Sequence, residues 1–127
     1  MAVILDTNAL SAFFDGEPAV VELLREQPDL YLPVIVLGEY QFGLRASRLK
    51  KARELQLLSF AKACTVLPIL ESTVTFYAAI RDSLRRAGTP IPENDIWISA
   101  LAQEYQLLVL TRDQHFLNVK QIKTQTW

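Results

Sequence analysis

The sequence predicts an α/β fold: a three-layer α/β/α sandwich around a mostly parallel central sheet. Two observations carry this reading. Short apolar runs alternate along the chain with longer stretches of helical periodicity, the order in which strands and crossover helices build a parallel sheet. Acidic residues also stand just beyond the runs Val3-Ile4-Leu5 and Leu107-Leu108-Val109-Leu110. In an open parallel sheet that is the carboxyl edge, where ligands bind. There is no internal repeat, low-complexity tract or long linker, so residues 1–127 are read as one domain.

Ala2–Leu5 reads as a short buried strand, and Asp6-Thr7-Asn8 offers side chains able to cap a following helix. Leu10–Phe14 and Pro18–Arg25 are helical pieces interrupted at Asp15-Gly16. Leu30–Leu32 is a second strand. After Pro33, the spacing of Val34, Leu37, Tyr40 and Leu44 predicts a helix continuing to about Arg48. Lys50–Lys62 is another helix, and Thr65–Leu67 a strand closed by Pro68. Ser72–Ala87 is helical and ends at Gly88, where a left-handed residue is favoured. Thr89-Pro90-Ile91-Pro92 is a rigid loop. Asn94–Gln106 forms a helix with Trp97, Ile98, Leu101 and Ala102 at core spacing. Leu107–Leu110 is a strand, His115–Leu117 a short turn, and Val119–Ile122 a last edge strand.

Half of the 127 residues are hydrophobic and 21% are charged, an ordinary globular balance that can bury a core. The single cysteine, Cys64, lies in an apolar stretch and reads as a small buried residue; with no partner for an internal disulfide, it suits a reducing compartment. No apolar run approaches the roughly 18–20 residues of a membrane span. Asp6 interrupts the first apolar run too early for a secretion signal. The expectation is a soluble cytoplasmic protein without membrane contact. The net charge of −1 argues weakly against nucleic acid, but setting aside Asp6, Glu39, Asp95 and Asp113 leaves the remainder at +3.

Taken singly, each of these four acids has a plain structural role. Asp6 can cap a helix, and Asp95 can complement the dipole of a first helical turn. Asp113 can make an Asx-turn. Glu39 is the least comfortable on a solvated face, because Ile35, Val36, Leu37 and Tyr40 crowd around it. Together, the four would repel one another unless a hard cation such as Mg²⁺ relieved them.

Their order and context resemble a PIN domain over nearly the whole chain. The resemblance is carried by Ile4-Leu5-Asp6-Thr7-Asn8, by Pro33-Val34-Ile35-Val36-Leu37-Gly38-Glu39, by Ile91-Pro92-Glu93-Asn94-Asp95-Ile96-Trp97-Ile98-Ser99-Ala100, and by Leu110-Thr111-Arg112-Asp113-Gln114-His115-Phe116. Chain length and the Leu37-Gly38-Glu39 helix resemble in particular the VapC-type toxins of prokaryotic toxin–antitoxin pairs. The resemblance implies a metal-dependent endoribonuclease acting on structured RNA, commonly tRNA or ribosomal RNA. By position, Asp6, Glu39, Asp95 and Asp113 match the family's acidic site, and Thr7, Asn8 and Thr111 match polar positions that line or support it. Trp97 is bulkier than the residues often found at its position and reads as core packing rather than RNA stacking.

In this scheme Asp6, Asp95 and Asp113 hold Mg²⁺ or Mn²⁺, directly or through water. Glu39 binds a second ion or orients the attacking water, with one ion or two left open. A metal-activated water leaves 5′-phosphate and 3′-hydroxyl ends. His115 is the only histidine, which excludes a paired-histidine mechanism, and it reads as a surface or turn residue. Candidates for gripping RNA phosphates are Arg45, Arg48, Lys50, Lys51 and Arg53, with Arg81, Arg85 and Arg86 as a second group. The resemblance implies two protein partners: a second copy of the chain, and a small antitoxin whose arginine could enter the carboxylate cluster. Asn8 breaks the Asp-x-Asp of haloacid-dehalogenase phosphotransferases, and Thr65–Leu70 lacks the phosphoacceptor of a response-regulator receiver. The stronger alternative is a non-catalytic PIN-like RNA-binding or regulatory module, which should lack metal-induced stabilisation.

Overall fold

A computed structural model describes residues Met1–Trp127. The chain runs β1 (Val3–Leu5), α1 (Thr7–Phe14), α2 (Pro18–Arg25), β2 (Leu30–Pro33), α3 (Val34–Leu44), α4 (Lys50–Ala63), β3 (Thr65–Leu67), α5 (Glu71–Ala87), α6 (Glu93–Tyr105), β4 (Leu108–Leu110), a 3-10 helix (Gln114–Asn118) and β5 (Lys123–Gln125). The five strands form one sheet in the order β3-β2-β1-β4-β5. All four pairings are parallel, so the expected mostly parallel sheet is parallel throughout.

The chain builds outward from β1 to β2 and β3, then returns across the sheet to β4 and β5. Because parallel crossovers are right-handed, this reversal sends α5 and α6 to the face opposite α1–α4. It also makes the gap between β1 and β4 the topological switch point, where a crevice opens beyond the strand ends. Val3, Ile4 and Leu5 of the central strand are fully buried, as a strand covered on both faces must be. The main core joins β1 and β4 to Leu10, Val20, Leu24, Val36, Leu57, Ile98 and Leu101. A smaller cluster of Ile80, Leu84, Ile91, Ile96, Ala100 and Val119 holds α5 and α6 together.

Two boundaries differ from the sequence reading. The third helix stops at Leu44, not near Arg48: the Ser47 amide bonds the Leu44 carbonyl, and Ser47 Oγ accepts from the Leu49 amide at 3.1 Å. That local serine bond offers the backbone an alternative to another helical turn. The last strand is Lys123–Gln125, not Val119–Ile122. Val119 is apolar because it plugs the α5–α6 cluster, and Ile122 packs against both cores. The strand itself pairs Lys123, Thr124 and Gln125 with β4 and lies at the sheet edge, where polar residues are tolerated. Gly88 caps α5 at φ +70°, as expected. No helix is long and apolar enough to cross a membrane.

Candidate metal centre

The crevice between β1 and β4 is built first by backbone. The Asp6 amide donates to the Leu110 carbonyl at 3.2 Å, carrying the β1–β4 ladder one residue beyond the strands, and the Thr111 amide donates to the Gln125 carbonyl at 3.0 Å. Asp6 and Thr111 therefore stand side by side. The Asp6 carboxylate caps α1 by accepting the Thr7 amide on Oδ1 at 2.8 Å, and it accepts the Thr111 hydroxyl on Oδ2 at 2.7 Å. The capping role and a place in the acidic cluster thus belong to the same side chain.

Thr111 Oγ1 is saturated. It donates to Asp6 and accepts from Asn8 Nδ2 at 3.3 Å and from the Asp113 amide at 2.9 Å. Asn8 Oδ1 in turn accepts the Arg112 amide at 3.2 Å, tying the post-β4 loop to α1. Thr7 Oγ1 donates to Glu39 Oε1 at 2.9 Å, which brings the second turn of α3 to the same edge. Asp95 arrives from the first turn of α6, and Ser99 Oγ bonds its carbonyl at 2.7 Å inside the core. Asp113 caps the 3-10 helix, its Oδ1 accepting the His115 amide at 2.9 Å.

Asp6, Glu39, Asp113 and their polar neighbours therefore form one hydrogen-bonded group, and Asp95 stands close enough for the charges of Asp6 and Asp113 to act on it. Asp6 and Asp95 are buried, and Glu39 and Asp113 half-buried. Burial is the main cause that raises the Asp6 carboxyl above its ordinary range. Hydrogen bonds from Thr111 and Thr7 oppose it, and the charges of Glu39 and Asp113 add to it. Asp95 is pushed up to about 6, first by burial and then by the charges of Asp6 and Asp113, with His115 opposing. No lysine or arginine forms an ion pair with any of the four acids. Partly desolvated, mutually repelling oxygen donors are the donor set of a hard divalent cation.

One member of the group was not legible as such in the sequence. His115 is indeed an exposed turn residue, yet its Nδ1 lies 2.9 Å from Asp113 Oδ1 and 3.3 Å from Asp95 Oδ2. One ligand atom from each of Asp95, Asp113 and His115 falls within 4.8 Å of the others. The only signal was its position two residues beyond Asp113, on the same turn.

The basic candidates separate. Arg53 is occupied structurally, bonding the Phe14 carbonyl and, at 3.1 Å, Asp15 Oδ1. Arg81 pairs with Glu93, and Arg85 and Arg86 both pair with Asp82. Arg45, Arg48, Lys50 and Lys51 form no ion pair. They lie at the α3–α4 turn, interleaved in sequence with Ser47 and Leu49, which line a cleft that starts at Thr7 and Glu39. Trp97 stacks on Tyr77 with ring centroids 3.8 Å apart, joining α6 to α5. The Cys64 thiol is half-buried and pushed up to about 11 by that burial, as an inert thiol would be.

A sequence model of the PIN domain matches residues 3–122, and the chain belongs to the PIN domain family. It is 32% identical over 122 residues to the VapC ribonuclease Y4jK of Sinorhizobium fredii, a match covering 87% of this chain and 86% of that protein. It is 26% identical over 132 residues to ribonuclease VapC2 of Rickettsia felis, covering 100% and 98%. Its structure superposes with a TM-score of 0.74 and 26% identity on VapBC-5 of Mycobacterium tuberculosis, a member of the VapBC family of toxin–antitoxin systems, covering 98% of this chain and 96% of that one.

Proposed function

We propose that this chain is a metal-dependent endoribonuclease and the toxin of a toxin–antitoxin pair, cutting structured RNA such as tRNA or ribosomal RNA in the cytoplasm. The ribonuclease names of its relatives support the activity, and the toxin–antitoxin character of VapBC-5 supports the pairing. The observation that carries the reading is the gathering of four carboxylates at the β1–β4 switch point with no lysine or arginine to neutralise them.

Asp6, Asp95 and Asp113 would hold Mg²⁺ or Mn²⁺. When bound, the ion lowers the pKa of its water and stabilises charge on the phosphoryl oxygens. Glu39, held by Thr7 at the rim of the cleft, orients the attacking water or contributes to a second ion site. Thr111 fixes the Asp6 carboxylate through its hydroxyl and Asp113 through its backbone amide, while Asn8 locks the loop that carries them. The products carry 5′-phosphate and 3′-hydroxyl ends, because water rather than the ribose 2′-hydroxyl attacks. Arg45, Arg48, Lys50 and Lys51, at the α3–α4 turn, grip RNA phosphates. An antitoxin arginine entering the acidic group would compete with the metal through a bidentate carboxylate contact. A second copy of the chain completes the assembly.

The test is incubation of purified, antitoxin-free protein with labelled tRNA and ribosomal RNA, with Mg²⁺, with Mn²⁺ and with chelator, alongside Asp6→Asn. Discrete metal-dependent cuts that vanish in the variant are expected. Cleavage leaving mainly 2′,3′-cyclic phosphates would overturn the mechanism. No cleavage by folded, metal-loaded protein would favour a non-catalytic RNA-binding or regulatory module.

A further inference from the structure

We propose that His115 is a ligand of the metal centre through Nδ1, and that this nitrogen biases the centre toward Mn²⁺ over Mg²⁺. The inference rests on the metal-centre reading above and adds a residue to it.

The ring is held where a ligand has to be. Phe116, the next residue, is buried in the main core, and the His115 amide is bonded to Asp113 Oδ1, so the turn is anchored on both sides of the imidazole's attachment. Nδ1 then stands between two carboxylate oxygens, 2.9 Å from Asp113 and 3.3 Å from Asp95. A single Nδ1–H serves one acceptor well, but here two carboxylates flank it. Adjacent ligands of an octahedral ion with bonds of about 2.1 Å stand about 3 Å apart, so both separations are those of neighbouring positions around one ion. Ligation through Nδ1 places the ring proton on Nε2.

Donor chemistry supplies the selectivity. Mg²⁺ takes oxygen ligands and gives up its water reluctantly, so it gains little from an imidazole. Mn²⁺ is the weakest imidazole binder of the first-row divalent ions and shares the oxygen preference of Mg²⁺, but as a transition metal it gains more from one added nitrogen donor than Mg²⁺ does. Asp6, Asp95 and Asp113 remain available as oxygen donors to either ion, so the histidine tunes the preference without deciding whether metal binds.

Calorimetric titration of the full chain with Mn²⁺ and Mg²⁺ separately tests this at about pH 7.5, above the ordinary imidazole range. Pulsed electron paramagnetic resonance of the Mn²⁺-loaded protein would accompany it. His115→Asn keeps a polar atom near the Nδ1 position but offers oxygen; the side chain is about half exposed, so the fold should survive. The expected result is nitrogen hyperfine coupling in the wild type that disappears in His115→Asn. Mn²⁺ affinity should fall about tenfold or more with Mg²⁺ affinity little changed. Wild-type Mn²⁺ without nitrogen coupling, or equal losses for both ions, would overturn the role of His115. Asp95→Asn separates this from failure of the parent reading: it should weaken both ions. If neither ion binds the wild type, the metal-centre reading falls and takes this proposal with it.

Discussion

Asp95 is pulled between its surroundings and its proposed task. Its carboxyl is raised from 3.8 to about 6, so the folded protein holds this proton where the unfolded chain has released it. Below about pH 4 the group is neutral in both states and burdens neither. As pH rises from about 4 to about 6, the unfolded state ionises first and metal-free stability falls, because it binds fewer protons than the native state. At about 1.4 kcal/mol per pH unit, discounted for screening by water at the cleft mouth, the loss is about 2 kcal/mol. Urea denaturation in chelator between pH 4 and 7 should show this decline, and Asp95→Asn should reduce it, leaving the smaller share of the raised Asp6, and be more stable at neutral pH. Added cation reverses the preference, since binding requires the ionised carboxylate. Thr111 makes a second prediction at this scale. Thr111→Val deletes the donor to Asp6 and the acceptor for the Asp113 amide and Asn8 while conserving shape. Urea unfolding should report a loss of about 1–3 kcal/mol, largely restored by Thr111→Ser.

At the scale of elements, two glycines make opposite predictions. Gly88 ends α5 at φ +70° with open space where a Cβ would project, so Gly88→Ala meets no neighbour and is penalised by backbone alone. Thermal unfolding should show about 1 kcal/mol of destabilisation. Gly38 lies within α3, also with open space in the direction a methyl group would take, and Gly38→Ala should stabilise by about 0.5–1 kcal/mol through helix propensity. Gly88 was legible in the sequence because a left-handed cap leaves a signature at the end of an amphipathic stretch. Asp6 and the Thr111–Asp113 segment were legible for a related reason: each follows an apolar run that has no alternative to becoming a buried strand. β5 was not, because an edge strand is made by backbone pairing to β4 and places few demands on its side chains. Val119 and Ile122 misled because their burial serves the helix layer. His115 escaped notice because a lone histidine on a polar turn has no periodicity to mark where its ring points.

Across the whole molecule, unpaired charge of opposite sign is held by different elements. The acids gather at the switch point, and Arg45, Arg48, Lys50 and Lys51 stand at the α3–α4 turn without ion-pair partners. If that turn grips phosphates, Arg45→Ala with Arg48→Ala should weaken RNA binding across sequences. It should also reduce the slope of log affinity against log salt by about 1.4, roughly 0.7 for each phosphate no longer neutralised on single-stranded RNA. Unchanged salt dependence would remove these residues from the interface. Arg81→Ala, whose partner is Glu93, serves as the control expected to change little.

The hydrogen bond from Thr111 to Asp6 joins residues 105 positions apart, and the sheet cannot bring them together until β4 slots in beside β1. Contacts of such long sequence separation form late and slowly. A ribosome translating this message therefore carries a nascent chain that lacks the completed acidic group until β4 and the segment through Asp113 have been made. Truncated products and stalled chains lacking β4 would have only part of the machinery. For a protein proposed to cut the cell's own RNA, the joining of β4 to β1 is then the step that separates an incomplete chain from one carrying all four acids.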